Sequence, residues 1–459
     1  MNSRLLHFRK HSWPGVLPII LIAACIGGLI SFGFGKICLG ILAFGAILLF
    51  CKSVEDLFLF WLLTFSFFSI DESAFLTVGT HPIITFDRVF IAVLFLIFLK
   101  QIALGERKPL PIDKLEISFI LLLGVFSFSV ATKTLDKLMG ARVITDLFFL
   151  PFIIYILTKN FITDRKYFRK FINTLFIVGI YLSIMGIYEH FTQHNLFATG
   201  SGFTQESFGW IRVNGPYSSD TTFAVCIVIC FFIALYQYVA FPGENTMKKL
   251  LQITVLIMTI AATFFTLFRG IWLAWAFGLL VWFFIRKKGI IKLACCIIAL
   301  TLFTIPFVSL IRSSKFSSEF YKGRVANVSN IEDRLARYNQ ALSMFLEEPI
   351  QGIGFQNYPI IMKTTAQHNQ LLAILSETGI MGASVYILLF FLLLYYSVRN
   401  LKSSNLYFKR EFSIVYLSIL VVYLVSGLGL TTGYDKHINL LFFTVSAAAL
   451  NATRKGLLE

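Results

Sequence analysis

Residues 368–397 read HNQLLAILSETGIMGASVYILLFFLLLYYS, and this stretch decides the fold. From residue 370 onward its only charged side chain is Glu377. An apolar run of this length is long enough to cross a bilayer as a helix, which takes about 20 residues. His368 therefore lies at the mouth of a membrane helix, where an ionisable side chain is costly and usually functional.

The composition of the whole chain points to the same class of protein. Of 459 residues, 57% are hydrophobic and 14% charged, and the mean hydropathy is +0.78. These values exclude a soluble domain with a wet surface. The chain is therefore predicted to be all-α, a single polytopic membrane domain over residues 1–459 with about 12–14 transmembrane helices. The apolar runs lie at 16–35, 37–51, 54–70, 88–104, 115–132, 143–158, 171–191, 219–241, 249–267, 270–285, 290–311, 370–397, 413–430 and 438–452.

The distribution of basic residues predicts the orientation of the bundle. Most of the 40 Lys and Arg residues fall in alternate short connections, among them 100–114, 159–170 and 399–410. Such connections face the cytoplasm, so both termini are predicted to be cytoplasmic. The net charge of +16 then belongs mainly to an inner belt against anionic lipid headgroups, and membrane lipids rather than nucleic acid are the expected partners.

Two outer segments, 192–218 and 312–368, are longer than the other connections, and long connections in compact proteins tend to be functional. Within the second segment, apolar residues recur at helical spacing between 330 and 346. This pattern predicts an amphipathic helix that rests on the membrane surface or on the bundle. Arg334 borders its apolar stripe and Arg337 lies off it. We therefore expect a helical extracytoplasmic cap.

Four outer arginines are candidates for binding an anion. Arg212 comes just before a predicted span, and Arg269 lies in a tight turn between two spans. A guanidinium keeps its charge when partly desolvated and pairs with phosphate through two hydrogen bonds. For Arg212 the alternative is a snorkelling interfacial anchor. Arg334 and Arg337 either bind substrate or only solvate the cap helix.

His368 is the candidate catalytic residue of the outer face, because an imidazole can accept a proton near neutral pH. Glu377 lies nine residues later, nearly on the opposite face of a continuous helix, and is predicted to be a buried structural residue. Gly379 and Gly382 are predicted to allow close helix approach. Neither a disulfide framework nor a metal site is predicted, because the seven cysteines all fall in or beside apolar runs. The other histidines, including His190, His194 and His437, are interpreted as structural or exposed.

The order of six short motifs between about 210 and 400 resembles the O-antigen ligase and polymerase superfamily of bacterial envelope glycan enzymes. Each motif alone is weak, and their order and outward position give the resemblance its specificity. The motifs are Arg-x-x-Gly-Pro (212–216), Phe-Arg-Gly-x-Trp (268–272), Arg-x-x-Arg-Tyr (334–338), Pro-x-x-Gly-x-Gly (349–354), His-Asn-x-x-Leu (368–372) and Glu-x-Gly-x-x-Gly (377–382).

The resemblance implies transfer of a glycan from a polyprenyl diphosphate carrier to a sugar hydroxyl, at the outer face of a bacterial cytoplasmic membrane. It implies no cofactor, no nucleotide sugar and no metal. Arg212 and Arg269 would stabilise the diphosphate leaving group and His368 would take the proton of the acceptor hydroxyl. A ligase uses lipid A core as acceptor, whereas a polymerase uses another lipid-linked glycan and a related branch uses protein. A transporter for the same lipid is an alternative from a different class, which predicts polar residues near the membrane midplane.

Overall fold

The computed structural model describes most of the chain and is a bundle of helices. The described residues are 53–66, 74–78, 81–196, 206–207, 210–286, 329–363, 367–403 and 406–451. The predicted spans at 16–35, 37–51 and 290–311 therefore lie outside them. The helices are α1 (Val54–Thr64), α2 (Phe86–Ala103), α3 (Lys114–Thr132), α4 (Lys137–Ile144), α5 (Leu150–Phe161), α6 (Arg165–Thr192), α7 (Asp220–Ala240), α8 (Thr246–Phe265), α9 (Arg269–Ile285), α10 (Ser329–Glu347), α11 (Asn357–Met362), α12 (Gln370–Ser403), α13 (Tyr407–Gly429) and α14 (Lys436–Asn451).

The described residues contain seven helical segments that are long and apolar enough to cross a membrane. A π-helical turn at Thr145–Phe149 joins α4 and α5 into one of these spans. The protein is therefore a multi-pass helical membrane protein, as predicted. The structure adds two short antiparallel strand pairs, β1 (Ala74–Val78) with β2 (His81–Thr85) and β3 (Glu206–Ser207) with β4 (Trp210–Ile211), which the sequence analysis did not predict.

Side-chain caps fix where several helices begin. The carboxylate of Asp113 accepts hydrogen bonds from the Leu115 and Glu116 amides, and Glu116 accepts one from the Asp113 amide. This reciprocal pair satisfies amide groups that the first turn of a helix leaves without partners. Asp164 caps α6 and Asn245 caps α8 in the simpler way, each through one amide. The helix starts therefore follow directly from the sequence.

The centre of the bundle is formed by α7 and α13. In the apolar 18-residue stretch of each of these helices, 72% is buried inside the protein, compared with 28% in the corresponding stretch of α8. Helix α13 packs against α9, α12 and α7, and α14 packs against α5. Because α8 buries so little of its apolar surface against protein, most of that surface is left for lipid.

The helices run between two ends of the bundle. We call one of them the basic end, and the connections around 100–114, 159–170, 241–249 and 399–410 meet there. Ion pairs tie these connections to neighbouring helices. They join Lys159 Nζ to Glu116 Oε2 (2.6 Å), Lys170 Nζ to Asp56 Oδ1 (2.6 Å) and Arg286 Nε to Glu411 Oε2 (3.2 Å). The basic connections that were predicted to share the cytoplasmic side thus share one end of the bundle.

The opposite end, the site end, is where the connections at 132–137, 210–220, 265–269 and 429–436 meet and where α10, α11 and the start of α12 lie. Helix α10 occupies the position at which the amphipathic pattern predicts a helix. Its residues Leu335, Leu342 and Leu346 are exposed, while Ala341 is buried and Tyr338 half-buried. The helix therefore rests on the bundle with part of its apolar stripe turned outward.

Candidate functional site

Two of the six motifs interlock at the site end through main-chain hydrogen bonds. Helix α12 breaks at Gly379, whose φ of 62° and ψ of −161° are not helical. The segment 349–354 lies along this break. The amides of Ile353 and Gly354 donate to the carbonyls of Ser376 and Glu377 at 2.9 and 3.0 Å. In return, the amides of residues 380 and 381 donate to the carbonyls of residues 349 and 350.

The glycines of these motifs are explained by this interlock. A Cβ at Gly379 would meet the main chain of Ile350, and one at Gly352 would meet the main chain of Glu377. Both residues also have a positive φ, a conformation that glycine adopts without strain. Gly382 differs, because a Cβ there would meet the Thr378 side chain of the preceding turn. The close approach expected at Gly379 is therefore to an irregular segment, and the one at Gly382 lies within its own helix.

His368 lies in the connection just before α12, with a φ of 58° that few residues other than glycine adopt. Helix α10 crosses over it. The Tyr338 hydroxyl donates to the His368 carbonyl at 3.2 Å and contacts the Leu428 carbonyl at 3.4 Å. The side-chain amide of Asn369 also donates to the Leu428 carbonyl, at 3.2 Å. The strained backbone of His368 is thus held by α10 on one side and by the end of α13 on the other.

The surroundings of His368 favour its neutral form. Partial burial lowers the pKa of His368 below its ordinary value of 6.5, and the positive charges of Arg334 and then Arg337 lower it further. The imidazole is therefore uncharged at neutral pH and able to accept a proton. The structure thus brings Arg334 and Arg337 close enough to His368 to influence its charge.

The effect of Arg334 and Arg337 on the pKa of His368 predicts a shift in the pH dependence of the reaction rate. If neutral His368 is the reactive form, the rate falls as the pH drops through its pKa. Replacing Arg334 or Arg337 with Gln removes a positive charge, so the pKa should rise toward 6.5 and the acid limb of kcat/KM should move to higher pH. Lys363→Gln removes an exposed charge at the same end and should leave the limb in place. An unmoved limb in both arginine variants would refute the coupling.

Arg212 and Arg269 are carried by neighbouring segments. The amide of Val213 donates to the Phe265 carbonyl at 3.3 Å, which ties the Arg212 segment to the turn between α8 and α9. Arg212 Nη1 pairs with Asp220 Oδ2 at 2.7 Å. Arg269, the first residue of α9, is exposed. Because the N-terminus of a helix carries partial positive charge, Arg269 and the helix together favour an anion.

The turn that carries Arg269 is packed by the residues around the arginine. Phe268 is buried, a Cβ at Gly270 would meet the Phe268 ring, and the Trp272 indole donates to the Thr263 carbonyl at 3.3 Å. The guanidinium itself is left on the surface, because a charged group at an end of the bundle stays in water unless a partner covers it.

Glu189 supports the Arg212 segment, a role that the sequence analysis did not find. Its carboxylate is buried at the end of α6 and accepts hydrogen bonds from the amides of Asn214 and Gly215 at 3.1 and 2.7 Å. The Asn195 side chain donates to the Gly215 carbonyl at 2.8 Å. The acid lies inside the apolar run 171–191, and a carboxylate in such a run is the signal that could have identified it.

A cavity of about 410 Å³ opens at the site end between the starts of α2, α12 and α14 and the π-helical turn. Its walls include Arg142, Asp146, Glu377, Lys436 and His437. Of these, two were named from the sequence, Glu377 as a structural residue and His437 as structural or exposed. Glu377 is 1% exposed, and the Tyr434 hydroxyl donates to its Oε2 at 2.7 Å. His437 also lies in the wall of this cavity, with its Nε2 3.8 Å from Asp87 Oδ2.

Ion pairs hold the charged walls of the cavity in place. Arg88 donates through Nε and Nη2 to the two carboxylate oxygens of Asp146 at 2.8 and 2.6 Å. Lys436 Nζ lies 2.8 Å from Asp87 Oδ2, and this aspartate is fully buried. A buried carboxylate is stable only when it is paired, so Lys436 and Asp87 form one unit. In the described part of the chain, no group of three or more His, Cys, Asp and Glu is arranged to hold a metal ion.

Comparison with protein families gives one match. The family model for O-antigen ligase matches residues 253–387. No curated protein matches the chain. The matched region is shorter than the resemblance between about 210 and 400, so it contains Arg269, Arg334, Arg337, His368 and Glu377 but excludes Arg212. It includes both interlocking motifs. The match at residues 253–387 covers less than half of the chain and supports the resemblance of this multi-pass membrane protein to the O-antigen ligase and polymerase superfamily.

Proposed function

We propose that the protein is an inverting glycosyltransferase of the O-antigen ligase type, which moves a glycan from a polyprenyl diphosphate carrier to a sugar hydroxyl without a metal ion. The observation that carries this proposal is the setting of His368, a neutral imidazole on a strained backbone beside two arginines, within the matched region. A general base for a hydroxyl needs that uncharged state at neutral pH.

The proposed reaction is a single displacement. The acceptor hydroxyl attacks the anomeric carbon, a new glycosidic bond forms, and the bond from that carbon to the diphosphate oxygen breaks. His368 accepts the hydroxyl proton. Polyprenyl diphosphate leaves with the bonding electron pair, so negative charge grows on the diphosphate as the bond breaks. Because attack occurs from the side opposite the leaving group, the configuration at the anomeric carbon is inverted.

In this scheme the arginines stabilise the leaving group. The Arg212 segment and the start of α9 are neighbours, so one diphosphate between them would meet two guanidinium groups and the positive end of a helix. Developing charge is stabilised most by donors that are in place before the reaction. Arg334 and Arg337 on α10 are proposed to contact the substrate next to His368.

The proposed function includes a choice of acceptor. Lipid A core is the acceptor in our proposal, and another lipid-linked glycan, as in a polymerase, is the alternative that the shared family keeps open.

The breaks in the described spans, at Gly379 and at the π-helical turn, both line or adjoin the cavity at the site end. The candidate arginines and His368 lie at the site end, and this position favours an enzyme over a transporter, which would place its polar binding residues near the membrane midplane.

One experiment tests the function and the acceptor together. The purified protein is reconstituted in liposomes with a chelator and supplied with a polyprenyl-diphosphate-linked oligosaccharide. Lipid A core, a second lipid-linked oligosaccharide and a glycosylatable protein are offered in separate reactions, and the products are identified by mass spectrometry and NMR. We expect transfer to lipid A core with inversion at the new linkage. Transfer to none of the acceptors would contradict the proposal.

We propose that the site end faces the outside of the cytoplasmic membrane and the basic end faces the cytoplasm. This orientation is tested by chemical labelling. In a variant lacking the seven native cysteines, single cysteines replace Lys363 at the site end and Lys402 at the basic end, both exposed. A membrane-impermeant thiol reagent is added to cells whose outer barrier has been opened. Labelling is expected at position 363 alone, and both positions should react after the membrane is dissolved. Labelling of position 402 alone in sealed membranes would reverse the orientation.

A further inference from the structure

The carboxylate of Glu377 joins three segments of the site end. The Gln367 side chain and the main-chain amides of Gln356 and Tyr358 donate hydrogen bonds to it. The Tyr434 hydroxyl donates to its Oε2 at 2.7 Å. The carboxylate therefore links the start of α11, the connection before α12 and the connection between α13 and α14.

The chemistry of these contacts explains why an acid occupies this position in an apolar helix. The four partners of Glu377 are two main-chain N–H groups, a side-chain amide and a hydroxyl, and each of them donates. A carboxylate only accepts hydrogen bonds and has about four lone-pair sites, whereas a glutamine would turn its own N–H groups toward some of these donors. Because Glu377 is only 1% exposed, these contacts rather than water offset the cost of its burial.

The residues on both sides of His368 use their side chains to fix the connection that carries it. Gln367, directly before His368, is 3% exposed and donates to Glu377. Two residues after His368, Gln370 Oε1 accepts the Gly433 amide at 2.8 Å. The main chain of His368 is therefore held from both directions along the chain.

His368 needs this support because its backbone is strained. A φ of 58° is unfavourable for a residue with a side chain, and such a conformation persists only where the surrounding structure imposes it. The direction of a side chain depends on the backbone that carries it. Loss of the contact between Gln367 and Glu377 would thus change the direction of the imidazole without changing its chemical nature.

We propose that Glu377 and Gln367 are positioning residues, which hold the imidazole of His368 in the direction required for proton transfer. Both side chains are buried, so Glu377 acts through Gln367, and Gln367 acts through the adjoining main chain. This inference rests on the proposed function, because it assigns both residues to the base of that reaction. It gives Glu377, expected from the sequence to be structural, a contribution to the rate.

The first test uses Gln367→Met, which removes the amide group, nearly keeps the length of the side chain and leaves the other contacts of Glu377 in place. We expect kcat to fall roughly 10- to 100-fold, because a small misplacement of a reacting group can cost about 10²-fold. KM for both glycan substrates should stay within about 2-fold. Gln252→Met is the matched control and should leave kcat unchanged. Gln252 is also buried and holds a connection, at the basic end, through the Gly243 amide and the Phe241 carbonyl.

The second test determines whether Gln367 acts through His368. Gln367→Met is combined with His368→Ala, and single-turnover transfer is compared in the wild type, the two single variants and the double variant, at matched amounts of folded protein. If the contact positions the imidazole, Gln367→Met should slow the wild type but change the residual rate of His368→Ala by less than about 2-fold. A merely structural contribution would lower both rates by the same factor. Equal losses in the two backgrounds, or an unchanged kcat in Gln367→Met, would overturn the proposal.

Glu377→Gln extends the test to the carboxylate. It should lower kcat at least as much as Gln367→Met, because one of its two oxygen acceptors is replaced by a donor. It should also have little effect on the residual rate of His368→Ala. A loss that persists in that background would assign Glu377 a structural role alone. If Glu377→Gln does not fold, the comparison based on Gln367→Met decides the question.

The His368→Ala variant separates this inference from the proposed function. If His368→Ala loses transfer while Gln367→Met retains the wild-type kcat, the positioning role is wrong and the glycosyltransferase stands. If the wild type transfers no glycan, or if His368→Ala retains wild-type turnover, the proposed reaction with His368 as its base is itself wrong.

Discussion

Replacing His368 with Ala is expected to slow glycan transfer by roughly 10²- to 10⁴-fold, the usual contribution of a positioned general base. Donor binding should be preserved, because the diphosphate is assigned to Arg212 and Arg269. The measurement is single-turnover transfer in proteoliposomes, with the affinity for the lipid-linked donor determined separately. A parallel loss of donor affinity would show that His368 contributes to binding rather than to proton transfer.

A second substitution separates proton transfer from positioning. Gln can donate and accept hydrogen bonds but cannot take up a proton at neutral pH, so His368→Gln should be nearly as slow as His368→Ala. His194→Ala provides the matched control, since it removes an exposed histidine at the same end of the bundle and should leave the rate unchanged. If the Gln variant retains wild-type turnover, His368 only positions the acceptor.

Replacing Arg269 with Ala is expected to lower the transfer rate about 10²- to 10³-fold, as when one preorganised donor to a developing negative charge is removed. Arg269→Lys should recover only part of this loss, because an ammonium lacks the planar fork that binds two phosphate oxygens. The rate is measured at matched amounts of folded protein in the membrane. Near-normal turnover of the Ala variant would eliminate the diphosphate role.

Arg212 requires a different control from Arg269. Its partner Asp220 is largely buried, so Arg212→Ala also leaves a carboxylate without its ion pair and can reduce folding. Asp220→Asn removes the same ion pair while keeping Arg212 and measures this structural part separately. For Arg269, the exposed Arg410 at the basic end is the matched control. Arg410→Ala should not change transfer.

The positions of the spans were predictable because each depends on a local run of residues. The run 219–241 corresponds to α7 (Asp220–Ala240), and the run 115–132 to α3 (Lys114–Thr132). Apolar length and the capping residues beside it are contiguous in sequence and need no knowledge of neighbouring helices. The cap helix α10 followed from the same kind of signal, an apolar stripe at helical spacing.

The cavity was not predictable, because its charged residues come from distant segments and two of them pair with residues behind the cavity wall. Asp87 appears in the sequence as an acid at the start of a span, and Lys436 as a base almost 350 residues later. Only the fold shows that they form one ion pair. The break in α12 was missed for a related reason. Gly379 was expected to allow the close approach of a neighbouring helix. It instead allows the close approach of the irregular segment 349–354, which forms main-chain hydrogen bonds with the broken helix.

The interlock between 349–354 and the broken helix has a consequence for the diversity of substrates. The segment that follows α10 is fastened to the break in α12 by main-chain hydrogen bonds, which do not depend on side-chain identity. The outward face of α10, which includes Leu335, Leu342 and Leu346, contributes nothing to that attachment. Substitutions on this face can therefore change the surface that the proposed enzyme presents to a glycan, while the attachment of this segment to the broken helix stays constant.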